Sequence, residues 1–345
     1  MSSAPIKPGL KALGFALVAS AALVSGAAVG AERSESLNAQ LTGDIAPVHD
    51  PVIIREGDTY YVFNTIGRYI GVKTSKDLKH WTDQKPVFEA MPAWAKAAVP
   101  GTEGIWAPDI SYVNGEYRLY YSISTFGSNR SAIGLATSPT LDPSAPNYGW
   151  TDKGMVVMSR QSDDFNAIDP NFIKDENGRH WLSLGSFWTG LKLFPLNPAT
   201  GKVIPGTKPY SIARRPAPAG GPAPVEAPFI LHRDGWYYLI ASYDYCCKGV
   251  NSTYYTVVGR SRSVTGPYLG KDGSELMRGG GTILLRADLE EKQRFRGPGH
   301  AGAFTDEDGT TYIVYHAYDR EKDGAPTLRI APLRWTADGW PEAQL

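Results

Sequence analysis

Three acidic residues, Asp50, Asp169 and Glu226, open short apolar runs that read HDPVII, IDPNFI and VEAPFI. Cleavage of a glycosidic bond requires two carboxyl groups in different protonation states. One protonates the departing oxygen, and the other acts on the sugar or on a water. A third acid gives a reason for the states to differ, because like-charge repulsion raises the pKa of the donor and keeps it protonated near neutral pH. Taken singly the same residues mean less, since an Asp before Pro commonly starts a turn through a side-chain-to-backbone hydrogen bond. Chemistry is favoured because the acids stand at equivalent points of separate copies of one template, where a single structural need would be met by the same residue each time.

The template recurs about every sixty residues. Its copies are DPVIIREGDTYYVFNT from Asp50, APDISYVNGEYRLYYSIS from Ala107, DPNFIKDENGRHWLSLGS from Asp169, APFILHRDGWYYLIASY from Ala227 and AGAFTDEDGTTYIVYHAY from Ala301. Each is a short apolar strand, a turn and an aromatic-rich alternating strand. The turns Gly57-Asp58, Asn114-Gly115, Asn177-Gly178, Asp234-Gly235 and Asp308-Gly309 supply residues that tolerate positive φ in hairpins. Pro51, Pro108, Pro170 and Pro228 mark the first four copies, and Gly302 is read as taking their place in the fifth. A further strand-like piece follows each hairpin. Radial repetition of such units predicts an all-β, five-bladed β-propeller over 41–345, with a large β-sandwich as the competing architecture.

Inner strands that converge on one channel would bring together His49-Asp50, Trp106-Ala107, Ile168-Asp169, Glu226-Ala227 and His300-Ala301. The arrangement suits a hydrolase better than a passive binding surface. Thirty-five basic residues balance 35 acidic ones and no Lys/Arg run appears, which argues against nucleic acid and fits a neutral polymer. Lys7 and Lys11 precede an uncharged Ala-rich stretch that ends at Val29-Gly30-Ala31, so residues 1–31 read as an export signal rather than a membrane anchor, with 32–40 as a linker. A secreted or periplasmic monomer without stable membrane association is expected. The chain's 2 cysteines, Cys246 and Cys247, are adjacent and cannot staple distant segments; two reduced thiols are expected over a bond between neighbours.

The motifs HDP at 49–51, GIWAPDI at 104–110, the run from Phe165 to Leu193, VEAPFI at 225–230, SYDYCCKGVNSTYY from Ser242 and GPGHAG from Gly297 together resemble glycoside hydrolase family 43, in its arabinanase branch. The resemblance implies a five-bladed propeller that cleaves α-1,5-arabinofuranosidic bonds of arabinan and arabino-oligosaccharides with inversion. It implies Asp50 as general base, Glu226 as general acid and Asp169 as the residue that raises the acid's pKa and orients it. It also implies a calcium ion at His300, although calcium prefers several oxygen ligands and chemistry alone makes His300 a hydrogen-bonding channel residue. Trp106 is expected to stack on sugar, Asn166 and Ser186 to bond its hydroxyls, and Phe187, Trp188, Tyr243 and Tyr245 are weaker candidates. His49 is read as structural or substrate-contacting.

The stretch RRPAPAGGPAPV from Arg214 is richer in Pro and Ala than that branch leads one to expect, and a stiff wall there would favour exo over endo action. Two further readings compete: a family relative acting on xylan or on single arabinofuranose branches, and a non-catalytic sugar-binding propeller.

Overall fold

The computed structural model describes residues 36–217, 221–289 and 293–345, so the expected export signal lies outside the described residues. Among the described residues five sheets follow one another along the chain, antiparallel except that the short strand Thr42–Gly43 pairs in parallel with the outer strand His80–Gln84 of the first. Their inner strands are His49–Glu56, Ile105–Val113, Asn171–Lys174, Val225–Arg233 and Phe295–Thr305. Each hairpins into a second strand and then runs outward through a third and a fourth. At Asn114-Gly115 and Asp234-Gly235 both turn residues take positive φ, as a two-residue hairpin loop demands.

Second strands are buried along almost their whole length; Glu116–Ile123 and Trp236–Tyr243 each have seven buried residues of eight. They lie mid-blade with a neighbouring blade against each face, which is why aromatic and aliphatic residues occupy both sides of the pleat. Alternation sends Tyr61 and Phe63 of blade 1 into a cluster shared with blade 2, while Tyr60 and Val62 enter one shared with blade 5. An apolar cluster fills each of the five gaps between blades. This radial packing is a β-propeller.

The ring closes between blade 5 and blade 1 without a blade built from both ends of the chain. Residues Leu37–Gln40, expected as linker, form a short 3₁₀ helix that belongs to the fold instead. Asn38 is buried there: its amide donates to the Tyr315 hydroxyl at 3.2 Å and its carbonyl accepts the Ile330 N–H at 2.8 Å. Arg55 and the Tyr60 hydroxyl of blade 1 bond Asp306 of blade 5 at 2.5 and 2.6 Å. Among the described residues no helix is long and apolar enough to cross a membrane.

Candidate active site

One residue near the start of each inner strand takes a left-handed φ: Asp50 at 50°, Ala107 at 45°, Asp169 at 56°, Ala227 at 55° and His300 at 48°. Such a conformation costs a residue with a side chain about 1–3 kcal/mol and persists only where its surroundings over-determine it. The kinked N–H is held by the preceding blade. Ala107 donates to the Thr65 hydroxyl at 2.8 Å, Asp169 to Ser122 at 3.0 Å, His300 to Ser242 at 2.9 Å, and Asp50 to His316 Nδ1 at 3.1 Å. Thr65, Ser122, Ser242 and His316 share one register, opposite His49, Trp106, Glu226 and Gly299.

Blade 3 breaks the pattern. Gly185 stands where the hydroxyl would be, bonded through its own N–H to Ile168 O, and Ala227 donates instead to Asp169 Oδ2 at 3.2 Å. A carboxyl thus takes the place of a hydroxyl, next along the ring from Glu226.

The fifth copy is shifted by one residue from its sequence reading. His300, not Ala301, shares the kink of Asp50, and Gly302 pairs with Val314 as Val52 pairs with Phe63, so Ala301 takes the proline's place. Without a proline, GHAGAF offers no local mark of register, and a one-residue slip sends every side chain to the other face.

The kinks gather the predicted acids into one buried cluster. Asp50 Oδ1 accepts from His49 Nδ1 at 2.7 Å and His300 Nδ1 at 3.0 Å, while its Oδ2 accepts the Thr65 hydroxyl at 2.8 Å. Burial alone would raise the Asp50 pKa; the charges and hydrogen bonds of His49 and His300 outweigh it and hold the carboxyl well below its usual range. His300 answers in kind, its burial overcome chiefly by Asp50 and its pKa raised to about 9. His316 is driven the other way by burial and by His49.

Glu226 and Asp169 move upward. Burial is the leading cause for Glu226, Asp50 adds repulsion, and donors from Ser186, at 2.6 Å, and Tyr254 oppose it. Asp169 is raised by burial and by the charges of Glu226 and Asp50, against His300 and the Ala227 N–H. Repulsion from Glu226 is among the causes for Asp169, the charge that raises Glu226 is that of Asp50, and for both acids loss of water is the larger effect.

Behind them a polar relay fixes the blades. Asp109 accepts the Asn171 amide at 3.1 Å and the Phe172 N–H at 2.7 Å, and Asn171 accepts the Ile230 N–H at 2.8 Å, so blades 2, 3 and 4 are tied beneath Asp169 and Glu226.

The other predicted residues divide. Trp106 is half-buried at the register position of His49 and Glu226. Asn166 is buried, and its Oδ1 has no partner. Ser186 commits its proton to Glu226 rather than leaving it for a sugar. Tyr243 is core, packed on Tyr255, whereas Tyr245 is exposed and touches Phe187 at 5.6 Å between ring centroids. Cys246 and Cys247 are bonded to each other, against the expectation of free thiols. The reading from sequence missed Thr65, His316, Tyr254 and Tyr318. The first two were accessible to it: both fall at the end of the aromatic strand in their copies, where Ser122 and Ser242 also stand.

The model for glycosyl hydrolases family 43 matches residues 45–341. The chain belongs to that family. It is 45% identical over 303 residues to the extracellular exo-α-(1→5)-L-arabinofuranosidase of Cellvibrio japonicus, covering 86% of each chain. It is 44% identical over 298 residues to the extracellular endo-α-(1→5)-L-arabinanase 1 of Bacillus subtilis, covering 85% of this chain and 87% of the relative. The solved Cellvibrio cellulosa α-L-arabinanase complexed with arabinohexaose superposes with a TM-score of 0.82 at 43% identity, over 87% of this chain and 96% of that one. Within family 43 the likeness is to the arabinanase branch.

Proposed function

We propose that this family 43 member is a secreted, monomeric hydrolase of α-1,5-linked arabinan that works with inversion, endo-acting in its primary reading. One observation supports the chemistry above others: carboxyls buried to the same degree are driven to opposite protonation states, Asp50 downward and Glu226 upward. Glu226 protonates the departing glycosidic oxygen while Asp50 takes a proton from the water that attacks the opposite face of the sugar. Bond cleavage and water deprotonation leave Glu226 ionised and Asp50 protonated, and exchange with solvent resets both. Asp169 helps keep the proton on Glu226 and holds the Ala227 peptide beside it. Trp106 offers a stacking face, and Asn166 is the expected side-chain partner of a sugar hydroxyl. Export is supported by the 1–31 pattern and by relatives named extracellular.

The expected calcium ion at His300 is part of the proposal. His300 Nδ1–H donates to Asp50, the arrangement that leaves the other ring nitrogen of a histidine for a metal, whereas His316 Nδ1 accepts the Asp50 N–H, so its neutral ring carries the proton on the buried Nε2 and has no lone pair to offer there. A single nitrogen is no calcium cage, so an ion on His300 would complete its shell with water. Bound there, it would supply positive charge beside Asp50.

Exo action is the second reading, favoured by one feature. Among the described residues of the stretch after Arg214, Arg215 is paired to Asp244 over the rings of Tyr243 and Tyr255, and Ala223 N–H is bonded to Trp188 O at 3.0 Å. Product lengths from debranched arabinan resolve the two: mixed oligosaccharides early in the reaction mean endo action, and a single short product from the first turnover means exo. No release of reducing sugar from arabinan would overturn both.

A further inference from the structure

We propose that the Cys246–Cys247 disulfide is a positioning element for Asp50, acting through Tyr318 and His49, so that opening the bond slows hydrolysis without unfolding the protein. The proposal rests on the reading of Asp50 as general base.

The two cysteines lie in the segment that joins the second and third strands of blade 4, between Tyr243 and Tyr255. A bond between chain neighbours closes no long loop, so it adds little of the unfolded-state constraint through which disulfides usually stabilise. Its effect is local: it locks the peptide between the two residues and helps keep Cys247 at a φ of 65°, a region that residues with a Cβ seldom occupy.

That conformation aims the Cys247 N–H at the Tyr318 hydroxyl, 2.7 Å away. The same hydroxyl lies 2.8 Å from His49 Nε2, and the other nitrogen of His49 lies 2.7 Å from Asp50 Oδ1. Stacking on His316, with 3.8 Å between centroids, fixes the plane of the His49 ring, which leaves Tyr318 to set its rotation within that plane. Cys247 Sγ is itself 3.9 Å from His49 Nε2. The segment also reaches the other side of the site. Thr253 and Tyr254 donate to Tyr245 O at 3.0 and 3.1 Å, and the Tyr254 hydroxyl donates to Glu226. One short turn therefore positions groups on both catalytic carboxyls.

Cys246 and Cys247 are the only cysteines in the sequence, so a phosphine reductant has a single target. Tris(carboxyethyl)phosphine opens the S–S bond to two thiols and becomes its phosphine oxide, with water supplying the oxygen and the protons. The experiment measures kcat and KM on debranched arabinan for the full-length protein and for Tyr318→Phe, each with and without reductant, alongside thiol titration and melting temperature. Loss of alignment at a reacting group costs up to about 100-fold, so reduction is expected to lower wild-type kcat by about 10- to 100-fold with KM and melting temperature nearly unchanged. Tyr318→Phe should be slow from the start and indifferent to reductant, because the link is already broken. Should that variant fail to fold, His49→Asn takes its place with the same expected indifference. The proposal is overturned if wild type with two titratable thiols keeps its kcat, or if reduction slows the variant by the same factor as wild type. If untreated wild type does not cut arabinan, the functional reading fails rather than this one.

Discussion

Asp50 and Glu226 are 8% and 9% exposed, equally removed from water, yet one is held ionised and the other is pushed toward its protonated form. The difference lies in their neighbours. At the seam of blades 5 and 1, Asp50 meets His49, His300 and Thr65, whose donors and positive charge oppose the cost of desolvation. At the junction of blades 3 and 4, Glu226 meets two hydroxyls and a second raised carboxyl, so little opposes that cost. Burial sets how much a charge costs, and the partner set decides whether it is kept.

The sharpest way to break this contrast is to remove each carboxyl in turn. Glu226→Ala and Asp50→Ala should each lose about 10²- to 10⁴-fold in kcat on arabinan. An arabino-oligosaccharide with an acidic phenol as leaving group needs no proton donor, so it should restore much of the activity of Glu226→Ala and none of Asp50→Ala. Rescue of Asp50→Ala alone would mean that the acid and base are exchanged.

Asp169→Asn tests the raised side. With the neighbouring charge gone, the Glu226 pKa falls, and the alkaline limb of kcat/KM, which reports loss of the acid's proton, should move to lower pH. Stability should move oppositely. A carboxyl whose folded pKa lies above its unfolded value destabilises the fold progressively as pH rises through the interval between them, so the variant should melt higher than wild type at neutral pH. An unmoved alkaline limb would remove Asp169 from the acid's environment.

Thr65→Val tests the lowered side more gently. It removes a donor to Asp50 and leaves the Ala107 N–H without its acceptor, so kcat should fall about 10-fold and stability by about 1–3 kcal/mol in denaturant titration. The smallest effect on chemistry is expected of Asp306→Ala, which breaks the blade 5 to blade 1 bonds to Arg55 and Tyr60 away from the carboxyls. It should cost about 1–3 kcal/mol of stability with kcat within about twofold of wild type. A large loss of kcat there would show that ring closure itself tunes Asp50.

Much of the fold and half of the site were legible without coordinates. Matched turns, alternating aromatic strands and four prolines located the blades, because each blade must solve the same burial problem with the same local chemistry. Asp50, Asp169 and Glu226 stood out through variation at the strand entrances, although Asp50 and Asp169 take the kinked position and Glu226 the residue before it. The fifth blade was misread by one residue where its proline is missing. Ser186 looked free for a sugar because nothing near it in the chain shows that Glu226, forty residues on, takes its proton. The cysteine pair was read as thiols from the cost of bonding neighbours, which local sequence cannot weigh against the surrounding turn.

By itself, then, the sequence determined strand period, turn positions, repeat number and which residue types reach the channel mouth, since all of these follow from interactions between residues near in the chain. Tertiary structure alone decided the protonation states, which depend on contacts across the ring: His300 of blade 5 on Asp50 of blade 1, Ser186 of blade 3 on Glu226 of blade 4, and Asp169 in the slot that Gly185 leaves without a hydroxyl. Those partners are set by how five blades close around a channel, and electrostatic energy in a buried site depends on distances that no local pattern encodes.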